Sequence, residues 1–207
     1  MARIVWLASY PKSGNTWTRA LLTGYYGAGV VDLNDLGHVG QPGGLRTLGD
    51  LFGVDPSLLR PDEIRAYQPA AARLLASDLA QRRDGPAVDF CKIHSANLPT
   101  PDGDRLSPSD AGRAVYIVRN PLDVAVSPVP FYDWPADRVI RMMDDEAFVL
   151  NGRARGFRLL LPEPLSSWSG HVRSWLDAPG LDVHLVRYED LHADAAAALA
   201  DLLRFVG

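Results

Sequence analysis

The chain reads as an α/β protein, a single domain over residues 1–207 with a central parallel sheet flanked by helices, and three observations lead there. Strand-like apolar runs near residues 3–9, 87–94, 114–119 and 182–188 alternate with helical patterns, the arrangement that covers a parallel sheet with helices on both faces. Two of those runs end in turns that open directly into helix starts, at Tyr10–Trp17 and at Arg119–Pro121. A length of 207 residues with 47% hydrophobic content suffices for one well-buried core.

The first strand, Ile4 to Ala8, leads through Tyr10-Pro11-Lys12-Ser13-Gly14-Asn15-Thr16-Trp17 into a helix expected over Thr18 to Tyr26. A sharp strand-to-helix turn leaves the first helical N–H groups unpaired at the positive end of the helix dipole, where an anion binds well. Lys12 adds a cation, Ser13 and Thr16 add hydroxyls, and Gly14 allows close backbone approach. The usual ATP-binding loop, G-x-x-x-x-G-K-[ST], places its lysine after the last glycine and a metal-holding hydroxyl after that. Here Lys12 precedes the only glycine, so this cradle suits a phosphate without the usual means of placing Mg²⁺. The plainer alternative is an ordinary turn with a solvated lysine.

The strand over 87–94 carries Val88-Asp89-Phe90-Cys91-Lys92-Ile93-His94. Side chains alternate along a strand, so Lys92 and His94 emerge on one face. A cation beside a titratable imidazole suits proton abstraction during transfer of a charged group; a merely hydrogen-bonded histidine is the alternative. The run Ala114–Val118 ends in Arg119-Asn120-Pro121, where Asn120 is a good N-cap and Pro121 a good first helical residue for a helix through Val126. Arg119 and Ser127 then supply a guanidinium and a hydroxyl for a second anion, unless Arg119 pairs with Asp123. Pro128 biases Ser127 away from helical geometry.

Further on, Trp168, Val172, Trp175 and Leu176 form one stripe of a helix entered from Ser166-Ser167, read as core, with His171 at the surface or capping the helix. Leu199, Leu202, Leu203 and Val206 mark a last core-facing helix after Asp194. Gly37 to Gly53, with six glycines, and Asn151 to Pro164, with Arg153, Arg155 and Arg158, read as loops that shape an acceptor pocket.

Four of these segments occur in an order that resembles the sulfotransferase family: Tyr10–Trp17, Lys92-Ile93-His94, Arg119–Ser127 with its eight-residue step, and Arg187-Tyr188-Glu189-Asp190-Leu191. The chain is most similar to the soluble bacterial members. The resemblance implies a P-loop nucleotide-hydrolase-like sulfotransferase fold and transfer of a sulfuryl group from 3′-phosphoadenosine 5′-phosphosulfate to an acceptor hydroxyl or amine. It implies that Lys12 contacts the 5′-phosphosulfate, that amides of Ser13, Gly14, Asn15 and Thr16 surround that phosphate, and that Trp17 lies against the adenine. Arg119 and Ser127 would hold the 3′-phosphate, His94 would take the acceptor's proton, and Lys92 would steady the transferring group. Family members continue past the position of Phe205-Val206-Gly207 with a basic, glycine-containing segment, so the resemblance also implies a chain lacking the usual C-terminal part.

Composition narrows the remaining readings. A net charge of −4 argues against a nucleic-acid binder with a broad basic face. A single cysteine excludes an internal disulfide and fits a reducing compartment. No acidic cluster or Cys/His set has metal-ligand spacing, and no apolar stretch reaches the roughly 18 residues of a membrane span, so a cytoplasmic protein acting on a small molecule without a metal is expected. Two other functions stay open: a nucleotide-dependent kinase on the same general fold, and a nucleotide-binding fragment without turnover.

Overall fold

Five parallel strands form the centre of the protein in the order β2-β3-β1-β4-β7. They are β1 (Arg3–Ser9), β2 (Val39–Gly40), β3 (Val88–Ile93), β4 (Gly112–Val118) and β7 (Val183–Arg187). A computed structural model describes residues 3–27, 29–36, 39–40, 49–50, 53, 55, 58–81, 88–108, 110, 112–127, 134–151 and 162–207. The helices are α1 (Asn15–Tyr26), α2 (Pro61–Gln81), α3 (Pro121–Val126), α4 (Ala136–Asp144), α5 (Trp168–Leu176), α6 (Tyr188–Ala193) and α7 (Ala195–Val206). A short antiparallel pair, β5 (Val149–Leu150) with β6 (Glu163–Pro164), lies apart from the main sheet.

Alternation along β1 splits the core between the two faces of the sheet. Val5 and Leu7 pack with Leu22 of α1 and Leu202 and Val206 of α7. Ile4, Trp6 and Ala8 pack with Ala72 of α2 and Trp175 of α5. A third cluster, Tyr10, Val124, Val139, Met142 and Leu165, fills the space next to the strand ends. β1 has β3 on one side and β4 on the other, with Ala8 beside Ile93 and Ser9 beside Ile117. All four long strands run in one direction, so their C-terminal ends share one edge. The crevice over the middle of such an edge is where open α/β sheets bind ligands.

The four expected strands and the expected helices are present. The first helix begins at Asn15 rather than Thr18 because Gly14, at φ 107°, turns the chain immediately before it. Asn120 caps α3 as expected, its side chain accepting the Leu122 N–H at 2.9 Å. Ser127 keeps helical geometry, φ −66° and ψ −35°, in spite of Pro128, and its N–H still reaches the Asp123 carbonyl at 3.2 Å. The restriction before proline is a bias, and this bond outweighs it.

The stripe on α5 is core at Trp175, whereas Leu176 is 38% exposed where the helix ends. His171 requires a correction: it is fully buried, neither at the surface nor capping the helix. The N-cap is Ser167, which accepts the Gly170 N–H at 3.1 Å. Of the two loops expected to shape a pocket, residues 37–38, 41–48, 51–52 and 152–161 lie outside the described residues, Arg153, Arg155 and Arg158 among them. Among the described residues, no helix is long and apolar enough to cross a membrane.

Candidate active site

A cleft of about 820 Å³ opens over the C-terminal ends of β1, β3, β4 and β7. From the β1–α1 turn, Lys12, Gly14, Asn15, Thr16 and Trp17 line it. Lys92 and His94 enter from β3, and Arg119 and Ser127 from β4 and the far end of α3. Residues spread over more than a hundred positions of sequence therefore meet in one cavity. Ser13 alone of the expected set does not line it; its side chain is buried, and its hydroxyl has no partner among the described residues.

The turn is held in an uncommon conformation. Lys12 has φ 69° and Gly14 has φ 107°, the left-handed region that costs side-chain-bearing residues energy. A Cβ on Gly14 would stand 2.7 Å from Cδ2 of Tyr188. Asn15 serves the framework rather than the ligand through its side chain, donating to the Leu7 carbonyl at 2.9 Å and to Ser9 Oγ at 3.2 Å. Its backbone N–H, with those of Thr16 and Trp17, belongs to the first helical turn and has no carbonyl four residues earlier within the helix. Trp17 lines the cleft and also packs against the core, edge to face with Tyr188 at 5.7 Å.

Arg119 lies over the Tyr188 ring at 4.2 Å and donates to the Lys12 carbonyl at 3.2 Å. Its Nε is buried and has no partner among the described residues. Asn120, next to it, donates its N–H to Glu189 Oε1 at 3.0 Å. The pair Tyr188-Glu189 thus braces both the Gly14 turn and the Arg119 turn.

His94 is oriented by its hydrogen bond to Ser9. Its Nδ1 lies 2.8 Å from the Ser9 carbonyl, which can only accept, so Nδ1 carries the proton and Nε2 keeps its lone pair. Burial pushes the imidazole down to about 3, assisted by the positive charge of Lys92, so it is neutral around pH 7. A neutral imidazole with a bare Nε2 can accept a proton. Lys92 is held below its ordinary value, chiefly by burial, with the charge of Glu163 acting in the opposite direction. Glu163 is raised by burial and accepts the His94 N–H through Oε1 at 3.3 Å.

Sequence reasoning missed Arg19, Glu163 and Tyr188, all of which line this cleft. Arg19 stands one turn beyond Asn15 and Thr16 on α1, a helical spacing that could have found it. Tyr188 follows directly on a strand end, the same placement that singled out Arg119. Glu163 comes from the separate hairpin, inside the Asn151–Pro164 segment expected to shape a pocket, although nothing in its immediate neighbours singled out the residue itself.

The Sulfotransferase domain family matches residues 106–207. Sulfotransferase 2A6 of Rattus norvegicus is 24% identical over 202 residues, 97% of this chain and 58% of that protein. Sulfotransferase 4A1 of Mus musculus is 25% identical over 211 residues, 98% of this chain and 59% of that protein. The chain thus spans less than two thirds of the length of these curated relatives. Among solved structures, retinol dehydratase in a complex with retinol and PAP shares the fold with a TM-score of 0.54 at 21% identity, over 99% of this chain and 60% of that one. Retinol dehydratase in complex with androsterone and PAP gives a TM-score of 0.52 at 21% identity, over 99% and 59%. Residues 106–207 thus match the Sulfotransferase domain, and almost the whole chain is similar to curated sulfotransferases and shares the fold of these solved structures.

Proposed function

We propose that this protein transfers a sulfuryl group from 3′-phosphoadenosine 5′-phosphosulfate to the hydroxyl, or amine, of a small-molecule acceptor, with His94 as general base. The observation that carries this reading is the convergence of Lys12, Lys92, His94, Arg119 and Ser127 on one cleft. A doubly phosphorylated nucleotide fits it chemically: Arg119 lines the cleft and its Nε is buried with no partner among the described residues, as a group awaiting an anionic oxygen would be. Two structural neighbours were solved with PAP and with retinol or androsterone, which supports a small acceptor of that general size.

In this scheme the first-turn amides of α1 and Lys12 hold the 5′-phosphate end, Arg119 and Ser127 hold the 3′-phosphate, and Trp17 flanks the base. His94 Nε2 takes the acceptor proton as its oxygen bonds to sulfur. The bond from sulfur to the 5′-phosphate oxygen breaks, giving the sulfated acceptor and adenosine 3′,5′-bisphosphate. Lys12 stabilises the charge that develops on the leaving phosphate, and Lys92 the charge on the group in transit. A well-placed base is worth roughly 10²–10⁴ in rate.

Calorimetry with adenosine 3′,5′-bisphosphate, set against ATP with Mg²⁺, tests the nucleotide. The bisphosphate is expected to bind more tightly, and tighter ATP binding would favour a kinase instead. His94→Ala is expected to abolish transfer and leave bisphosphate affinity within about twofold. Transfer at the parent rate in that variant removes His94 from the mechanism.

A further inference from the structure

The backbone that carries His94 is clamped from two sides. On one side lies β6, where Glu163 accepts the His94 N–H at 3.3 Å and the Pro164 carbonyl accepts the Ala96 N–H at 2.7 Å. On the other lies α5, whose face at residues 171, 174 and 175 meets the segment after β3 one backbone group at a time. His171 Nε2 donates to the His94 carbonyl at 2.9 Å, Trp175 Nε1 donates to the Ser95 carbonyl at 3.1 Å, and Ser174 Oγ accepts the Asn97 N–H at 3.0 Å.

The His171 ring has every polar atom engaged. Since Nε2 must donate to a carbonyl, Nδ1 is the acceptor, and the Tyr116 hydroxyl supplies its proton at 2.8 Å. The ring has no exposed surface, and burial pushes it down to about 4, so it stays neutral. Burying an imidazole is tolerated once both ring nitrogens are hydrogen-bonded, and a fully satisfied buried network is rigid. What it fixes is the last backbone group before the cleft turns away from β3. A side chain's aim follows from its own backbone, and the His94 ring must point Nδ1 at Ser9 for Nε2 to face the cleft.

We propose that His171 is a positioning residue: through its hydrogen bond to the His94 carbonyl, with Tyr116 fixing its tautomer, it sets the backbone that aims His94 Nε2 into the cleft. The catalytic part of this proposal rests on the sulfotransferase reading, whereas its structural part does not. His171→Gln and His171→Asn separate the two bonds, because a glutamine amide reaches near the Nε2 position and an asparagine amide near the Nδ1 position. Both remain polar, so each variant is compared with the parent by its melting temperature and by long-range proton–nitrogen NMR of His94, which reports the protonated nitrogen directly.

The Gln variant is expected to keep the His94 ring protonated on Nδ1 alone. In the Asn variant a mixture of tautomers is expected, with turnover at least tenfold lower and the KM for the sulfuryl donor within twofold. Should Asn fail to fold, Tyr116→Phe gives the same comparison, since it frees the His171 tautomer without removing the ring. The same Nδ1-protonated signal in parent, Asn and Tyr116→Phe proteins overturns the proposal. A parent that binds no adenosine 3′,5′-bisphosphate overturns the sulfotransferase reading instead, and the NMR comparison still decides the role of His171.

Discussion

Gly14, His94 and the buried His171 show how single residues set the limits of this site. Gly14 combines a φ of 107° with a ring carbon 2.7 Å from where its Cβ would stand. Gly14→Ala is expected to cost about 1–3 kcal/mol in backbone strain, before counting the displacement of Tyr188. At roughly 2–4 °C per kcal/mol for a chain of this size, the melting temperature should fall by several degrees, and an unchanged melt contradicts the strained turn. His94 and His171 are both depressed in the folded state, to about 3 and about 4, from an ordinary value near 6.5. The unfolded chain therefore binds protons first as pH drops. Their contribution to stability is complete above about pH 6.5 and is lost as pH falls towards the folded values, by up to about 1.4 kcal/mol per pH unit each. Glu163, raised by burial, acts in the opposite sense and offsets part of this loss. Melting at pH 7.5 and at pH 5.5 checks the sign: the lower pH should give the lower melting temperature.

Among the elements, the junction between β4 and α3 carries the most specific expectation. Asn120 caps α3 and is itself held by Glu189 of α6, so the turn that presents Arg119 is fixed at both ends. Arg119→Ala leaves those bonds intact and removes the guanidinium above Tyr188 together with its bond to the Lys12 carbonyl. Affinity for adenosine 3′,5′-bisphosphate should fall at least tenfold, while adenosine 5′-phosphate, which lacks the 3′-phosphate, should change less than threefold. Calorimetry with both ligands distinguishes this from a general collapse of the cleft, which would weaken them equally. The same logic explains α5: it is a nine-residue helix with a satisfied N-cap, and its inner face holds the backbone at His94, Ser95 and Asn97.

The whole molecule gains stability from any ligand that binds only its folded state. At a hundred times its dissociation constant, adenosine 3′,5′-bisphosphate should add about 2.7 kcal/mol, raising the melting temperature by roughly 5–10 °C. A melt unmoved by saturating bisphosphate counts against the cleft as a nucleotide site. At this scale, too, the limits of the sequence become visible. The four long strands, the Asn120 cap and the Tyr10–Trp17 turn were legible because each depends on neighbours in the chain: apolar runs, a cap residue, a glycine where φ is positive. His171 was misread although it stands three residues after Trp168 and four before Trp175, on the buried stripe itself. A histidine's environment depends on partners such as Tyr116 and the His94 carbonyl, 55 and 77 residues away in the chain. Arg19, Glu163 and Tyr188 joined the cleft for the same reason, and the Asn15 side-chain amide found Leu7 and Ser9 while the residue still lines the cleft. The sequence by itself determined which segments become strands, helices and anion-seeking turns, since local geometry and the periodicity of apolar residues act over a few positions. Only the tertiary structure decided which polar side chains face the cleft and which brace it, because that is settled by hydrogen-bond partners that the sheet order brings together across the chain.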